Sequence, residues 1–162
     1  MQNSGKMQKG IGDMNMMIIR KKFNELTTEE LYNILRIRSE VFVVEQNCIY
    51  NDIDGKDLTS IHIMAIEDGE IKGYLRVLQP GVSYETASLG RVLVPKKFRG
   101  DQIARMIVQE GIDYVSENFE KPEITIGAQE YLREFYKSLG FKEISEVYGE
   151  DGIPHIDMYY KG

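Results

Sequence analysis

A chain of 162 residues with 42% hydrophobic and 28% charged residues suits one folded domain with an ordinary core, and excludes a fibrous or collagen-like chain. Its formal net charge of −6 argues against a nucleic-acid backbone binder and favours a cationic partner such as an amine. The single cysteine, Cys48, cannot close an intramolecular disulfide, no apolar run reaches the roughly 20 residues of a membrane span, and no secretory signal is visible, so a cytoplasmic protein without a membrane partner is expected.

Residues 1–16 show no periodicity, and five of the eight methionines fall within the first 17 positions. This stretch is expected to be a disordered lead, and residues 17–162 the folded domain. Residues 17–23 read as a first strand. Thr27, with Glu30 three positions on, makes a capping box. Leu31, Ile34, Leu35, Val41 and Phe42 follow at near-helical spacing, which predicts a helix over 28–45, in one piece or two. After a polar loop at 51–57, strands are predicted at 60–67, 70–78 and 86–94. Their links, Asp68-Gly69 and Gln79-Pro80-Gly81, are short, which implies an antiparallel meander.

Ile103, Met106, Ile107, Tyr114 and Val115 predict an amphipathic helix. A brief strand at 123–127, a helix over 131–139 stopped by Gly140, and strands at 141–148 and 155–160 complete the order β-α(α)-β-β-β-α-β-α-β-β. The fold class is therefore α+β: one mixed, mostly antiparallel sheet with helices packed on it.

Residues 89–104 place a strand, a loop with basic Lys96, Lys97 and Arg99, and a helix start in succession. A helix N-terminus offers unpaired N–H groups and the positive end of a dipole. Gly100 lets the backbone approach an anion closely, and Arg99 adds a planar donor fork. This combination predicts a phosphate or pyrophosphate ligand. A basic loop that merely caps a helix is the alternative. Neither GxxxxGK[ST] nor GxGxxG is present.

The turn Arg99-Gly100-Asp101-Gln102-Ile103-Ala104, after the apolar Val92-Leu93-Val94-Pro95, resembles motif A of the GNAT acetyltransferases, commonly written (Q/R)xxGx(G/A). Gln102 stands where the central glycine is usual. Phe135-Tyr136-Lys137-Ser138-Leu139-Gly140-Phe141 is similar to motif B, where FYxxxGF is typical. Residues 35–46 and 148–156 resemble the ElaA-like branch of that family. The resemblance spans residues 17–161.

It implies a GNAT-like fold with helices on both faces of the sheet. It also implies transfer of an acetyl group from acetyl-CoA directly to a small-molecule or peptide amine. On the family pattern, the strand ending at Val94 carries a bulge and splays from the strand at 124–127. The pantetheine arm then pairs near Val92, Leu93 and Val94, and the pyrophosphate sits on amides of Arg99, Gly100, Asp101, Gln102, Ile103 and Ala104. A backbone N–H near Leu93 or Val94 would polarise the thioester carbonyl. Tyr136 is the family's general acid for the departing thiolate; a core aromatic is the alternative. A longer acyl donor, and a non-catalytic acyl-CoA-binding or sensing module, stay open as other readings. A homodimer follows from family habit alone.

An alkylamine is protonated at neutral pH, so a base or a water must take its proton. Glu45, Asp52, Asp54, Asp57, His62 and His155 are the candidates. His62, alternating with Ile61 and Ile63, either faces the groove or is a hydrogen-bonded half-buried histidine. Glu45 is either a base beside the acceptor loop or a surface charge. Arg91 and His155 are candidates for the acceptor site, with an ion pair and a turn anchor as the respective alternatives. Asp52, Asp54 and Asp57 superficially resemble a calcium loop, but loop position 12 is Ile63 rather than glutamate, so no metal is expected. They are either a solvated loop or a dock for a cationic acceptor. No neighbour of Cys48 lowers its pKa, so direct transfer is expected over an acyl-enzyme.

Overall fold

Thr27 and Glu30 exchange the two expected capping bonds: the Thr27 hydroxyl accepts from the Glu30 amide at 3.0 Å, and the Glu30 carboxylate accepts from the Thr27 amide at 2.8 Å. They start α1 (Thr28–Arg38), which buries Ile34, Ile37 and Arg38. The predicted second piece is a π-helical turn, Ser39–Glu45, closed by Gln46 N–H to Val41 C=O and Cys48 N–H to Val43 C=O. Such wide turns are uncommon and concentrate at functional sites.

The computed structural model describes the backbone of residues 6–9 and the whole of residues 15–162. Strands β1 (Lys6–Lys9), β2 (Asn15–Lys22), β3 (Ile61–Glu67), β4 (Glu70–Leu78) and β5 (Ser88–Leu93) form an antiparallel sheet in chain order. Then come α2 (Ile103–Asn118), β6 (Glu123–Gln129), α3 (Arg133–Ser138), β7 (Lys142–Glu143), β8 (Tyr148–Glu150) and β9 (Ile153–Lys161). In this second sheet β9 pairs with β6, β7 and β8. Among the described residues, no helix is long and apolar enough to cross a membrane.

Two expectations need correction. The lead is not structureless throughout: Lys6–Lys9 pairs antiparallel with β2, and fully buried Met16 belongs to the core. Hydrogen bonding to a neighbouring strand sets β1, and no side-chain alternation announces it. Residues 1–5 and 10–14 lie outside the described residues. The single strand expected over 141–148 is two short ones, β7 and β8, between which Ile144 and Val147 stand exposed.

The two sheet faces are covered differently. On one, Ile63, Leu75, Val77 and Leu89 pack against Ile107, Val108 and Ile112 of α2, in one cluster with Ile124, Ile126, Tyr136 and Phe141. Gly111 allows this closeness, since a Cβ there would lie 2.9 Å from Leu89. On the other face, Ile34, Ile37 and Val41 cluster with Met64, Tyr74 and Leu93. Strands β5 and β6 join the halves at one parallel bridge, Ala87 to Ile124, where the Thr125 amide donates to Ala87 C=O at 3.0 Å. Beyond it each is the edge of its own sheet, and among the described residues no backbone pairing continues between them, which leaves a gap in the ladder.

Candidate active site

The gap has a bulged wall. Tyr74 pairs with Leu93 and Arg76 with Gly90, so two steps along β4 span three along β5. The extra residue is accommodated at Arg91, whose φ of 50° is left-handed. The bulge lies on the strand that borders the gap, just before Val92, Leu93 and Val94.

That wall leads straight into the basic turn. Gly100 has φ +98° and open space around it. Gln102, the N-cap of α2, has φ 61° and ψ 18° and makes no side-chain cap, and the first turn of α2 carries no acidic residue. The first amides of a 16-residue helix thus meet no carboxylate of their own. The left-handed backbone at Gln102 explains why glycine is usual there: the departure keeps the path and carries a strain of about 1 kcal/mol. Gln102→Gly should therefore change stability by less than about 1 kcal/mol, strain relief offsetting chain entropy. Gln102→Val should lose about 1–2 kcal/mol, because β-branching is worst in this region. Urea unfolding of both variants checks this.

A strap from the π-helical turn crosses the gap. Arg99 donates to Val94 C=O from Nε at 2.9 Å, and its fork is bidentate to Glu45. On the other wall, Gln46 and Gln129 exchange amide hydrogen bonds at 3.3 and 3.2 Å. Cys48 Sγ donates to Asp151 C=O at 3.3 Å. Its hydrogen bond with Arg99 holds the Glu45 carboxyl below the usual range. Glu45 thus faces the basic turn as the counter-ion of Arg99, which corrects its reading as a base.

Asp52, Asp54 and Asp57 are neither a solvated loop nor a cation dock. Arg38, fully buried, donates to Asp52 Oδ2 at 2.9 Å and to Asp57 Oδ1 at 2.7 Å. Arg76 bonds Asp54 twice, at 2.8 and 2.6 Å, and Asp57 at 2.9 Å. Arg91 donates to Asp52 at 2.8 Å and lies over the Tyr50 ring, so the ion-pair reading of Arg91 holds and its side chain is not offered to a substrate. Burial works against the charges of Asp54 and Asp57, yet their arginine hydrogen bonds hold both pKa values low.

His62 is not a groove base. It is 1% exposed, with Nδ1 against Tyr74 Oη at 2.7 Å and Nε2 against Asp57 C=O at 2.9 Å. Burial pushes its pKa down, with Arg38 and Arg76 adding to the effect and Asp57 opposing it. A folded pKa below the unfolded value means that the unfolded chain takes the proton first. Stability should then fall as the pH drops below about 6.5, the unfolded histidine value, and level off beneath the folded pKa. Urea unfolding between pH 7.5 and pH 5 checks this. The slope should flatten in His62→Gln.

Tyr136 is 4% exposed, with its ring edge-on to Phe135 at 5.1 Å and Phe141 at 5.6 Å. Burial pushes its phenol well above the usual range, so it stays protonated. His155 is half-buried: Nδ1 lies 2.7 Å from Ile153 C=O, and Nε2 is 3.7 Å from Glu150. It anchors its own turn. Among the described residues, no group of three or more His, Cys, Asp or Glu is placed to hold a metal ion.

Comparison with known proteins decides the family. The sequence profile of the acetyltransferase (GNAT) domain matches residues 23–161. The chain belongs to the GNAT acetyltransferase family. This GNAT protein is 40% identical to the protein ElaA of Escherichia coli over 137 residues, covering 83% of the chain and 90% of ElaA. It superposes on the crystal structure of Escherichia coli ElaA with a TM-score of 0.85, covering 90% of this chain and 99% of that one at 36% identity. An acyl-CoA N-acyltransferase from Pseudomonas aeruginosa gives 0.82, with 88% and 98% covered at 36% identity. An aminoglycoside 6'-N-acetyltransferase solved with coenzyme A gives 0.67 at 18% identity, with 88% and 96% covered, a likeness of fold alone.

Sequence reasoning does not single out one polar cluster of this GNAT protein, over β6. Tyr84 and Tyr148 both donate to Asp157 Oδ1, at 3.2 and 2.6 Å, directly above Gly127 of β6. The available signal was the glycine itself: inside a strand it marks a close approach of other atoms. Gly127, however, lies where the sequence predicts a strand end.

Proposed function

We propose that this GNAT protein transfers an acetyl group from acetyl-CoA to an amine. The observation that carries the proposal is the continuity of the gap with the anion turn. A bulged, unpaired strand edge runs from the Ala87–Ile124 bridge to Val94 and on into residues 99–104. An unpaired edge suits an extended ligand with amides of its own, as the pantetheine arm has. The amides of residues 100–104 and the Arg99 fork suit its pyrophosphate. The coenzyme A bound by the aminoglycoside acetyltransferase of the same fold supports the donor's identity.

In this reading the amine nitrogen attacks the thioester carbon, the C–S bond breaks, and the electron pair leaves on sulfur. An amide N–H at Leu93 or Val94 polarises the carbonyl. Tyr136 gives the thiolate its proton, a task for which a neutral, high-pKa phenol is suited. Glu45, His62 and the three aspartates are bound to partners, so the ammonium proton leaves through water.

The test is thermal unfolding with coenzyme A. Saturating ligand should raise Tm by mass action, and no shift would sink the donor assignment. Tyr136→Phe keeps the ring packing, so it should retain that shift while lowering thiol release about 100-fold or more. Unchanged thiol release would remove Tyr136 from the acid role. A Tm shift without thiol release to any amine would favour an acyl-CoA-binding module.

A further inference from the structure

Gly127 is exposed in the middle of β6, although its neighbours Ile126 and Ala128 are buried. A Cβ added there would lie 3.0 Å from Tyr84 Oη, 3.2 Å from Tyr148 Oη and 3.8 Å from Asp157 Oδ1. Three oxygens from three segments therefore converge on the one point where β6 has no side chain. Both phenols donate to Oδ1, and Oδ2 has no hydrogen-bond partner among the described residues.

The charge balance at this point differs from that of the buried aspartates. Asp52, Asp54, Asp57 and Glu110 each meet an arginine. No lysine or arginine among the described residues pairs with Asp157. Burial and then the Asp157 charge push the Tyr84 phenol up to about 12; burial and the hydrogen bond to Asp157 push Tyr148 higher. Glu150 adds to both. The cluster is a carboxylate fixed by two neutral phenols, the Tyr148 ring stacked on His155 at 6.1 Å, with one carboxylate oxygen left to receive a cation.

Its position gives the cation a role. Gly127 is three residues beyond Ile124, where the gap closes, on the sheet face opposite the cluster holding Ile126 and Tyr136. An arm anchored at residues 99–104 and running back along β5 ends beside it. We infer that Asp157, with Tyr84 and Tyr148 over Gly127, is the acceptor subsite and takes an alkylammonium group. This rests on the proposed acetyl transfer, for which it supplies the substrate class. Asp157 orients the acceptor and selects for its charge, and the proton is lost to water before attack.

Two ligands of equal length, 1-aminopentane and pentan-1-ol, test this. They are titrated into the protein with and without coenzyme A, and binding is followed by the Gly127 amide resonance. The amine should bind about tenfold or more tightly than the alcohol, the value of one charge-assisted hydrogen bond. In Asp157→Asn that preference should fall below about threefold. In Gly127→Ala, where the charge stays and the added methyl displaces the phenols, amine binding should weaken. In thiol release, Asp157→Asn should act on KM for the amine more than on kcat. Equal binding of amine and alcohol, a preference retained in Asp157→Asn, or no response at Gly127 to either ligand would overturn the assignment. Coenzyme A binding is read separately, so loss of the donor site and loss of this subsite give different results.

Discussion

Arg38→Met should destabilise the protein by about 3–5 kcal/mol, a large part of the stability of an ordinary domain. Arg38 is fully buried and bonds Asp52 and Asp57. Removing it leaves two buried carboxylates with one arginine each, Arg91 for Asp52 and Arg76 for Asp57, and the lost pairing in a buried site dominates the cost. Arg36, two positions earlier on the same helix, pairs with Glu40 at the surface, with 49% and 56% of the side chains exposed. Arg36→Met should therefore cost less than about 1 kcal/mol. Urea unfolding of both variants gives the contrast; similar losses would mean that the buried network contributes no more than a surface pair.

The same network fixes the acid limit. Asp54 and Asp57 have folded pKa values below their unfolded ones. Their contribution is complete above the unfolded value of about 4 and is lost as the pH falls through the folded values. Its loss begins below about pH 4, whereas that of His62 begins below about 6.5, so the carboxylates should extend the acid decline beyond what His62 alone gives.

Arg99→Ala should weaken coenzyme A binding about 10- to 100-fold, the range for losing hydrogen bonds from a charged donor to phosphate. Glu45→Gln should act in the opposite direction. Glu45 now occupies the fork that the pyrophosphate would use, so the ligand must displace a carboxylate before it gains a phosphate contact. Removing that competitor should tighten binding by up to about tenfold. Stability should change by no more than about 1 kcal/mol, because the pair is 43% and 32% exposed. Calorimetric titration measures both variants. Weaker binding in Glu45→Gln would mean that Glu45 supports the ligand rather than competing with it.

Much of this was legible from local pattern. The Thr27–Glu30 box sets the start of α1, the strand Glu70–Leu78 lies between the turn signals Asp68-Gly69 and Gln79-Pro80-Gly81, and α2 begins at Ile103 as its spacing predicts. The family motifs also pointed to the gap and the bulge. Contacts between distant segments were not legible. Glu45 and Arg99 are 54 positions apart, and Arg91 and Asp52 are 39 apart, so no spacing rule connects them. His62 alternates correctly along β3, but alternation names a face and not what covers it; here the covering groups are Tyr74 and Asp57. No spacing rule connects Asp157 with Tyr84 either, 73 positions away.

The central claim is that residues 99–104 hold the donor's pyrophosphate and the β5 edge holds its arm. An amide-resolved NMR titration with coenzyme A tests it most directly. The largest shifts should fall on Val92, Leu93 and Val94 and on residues 99–105, with a further response at Gln46 and Gln129 as Glu45 leaves Arg99. Shifts confined to other surfaces, or none at saturating coenzyme A, would contradict it.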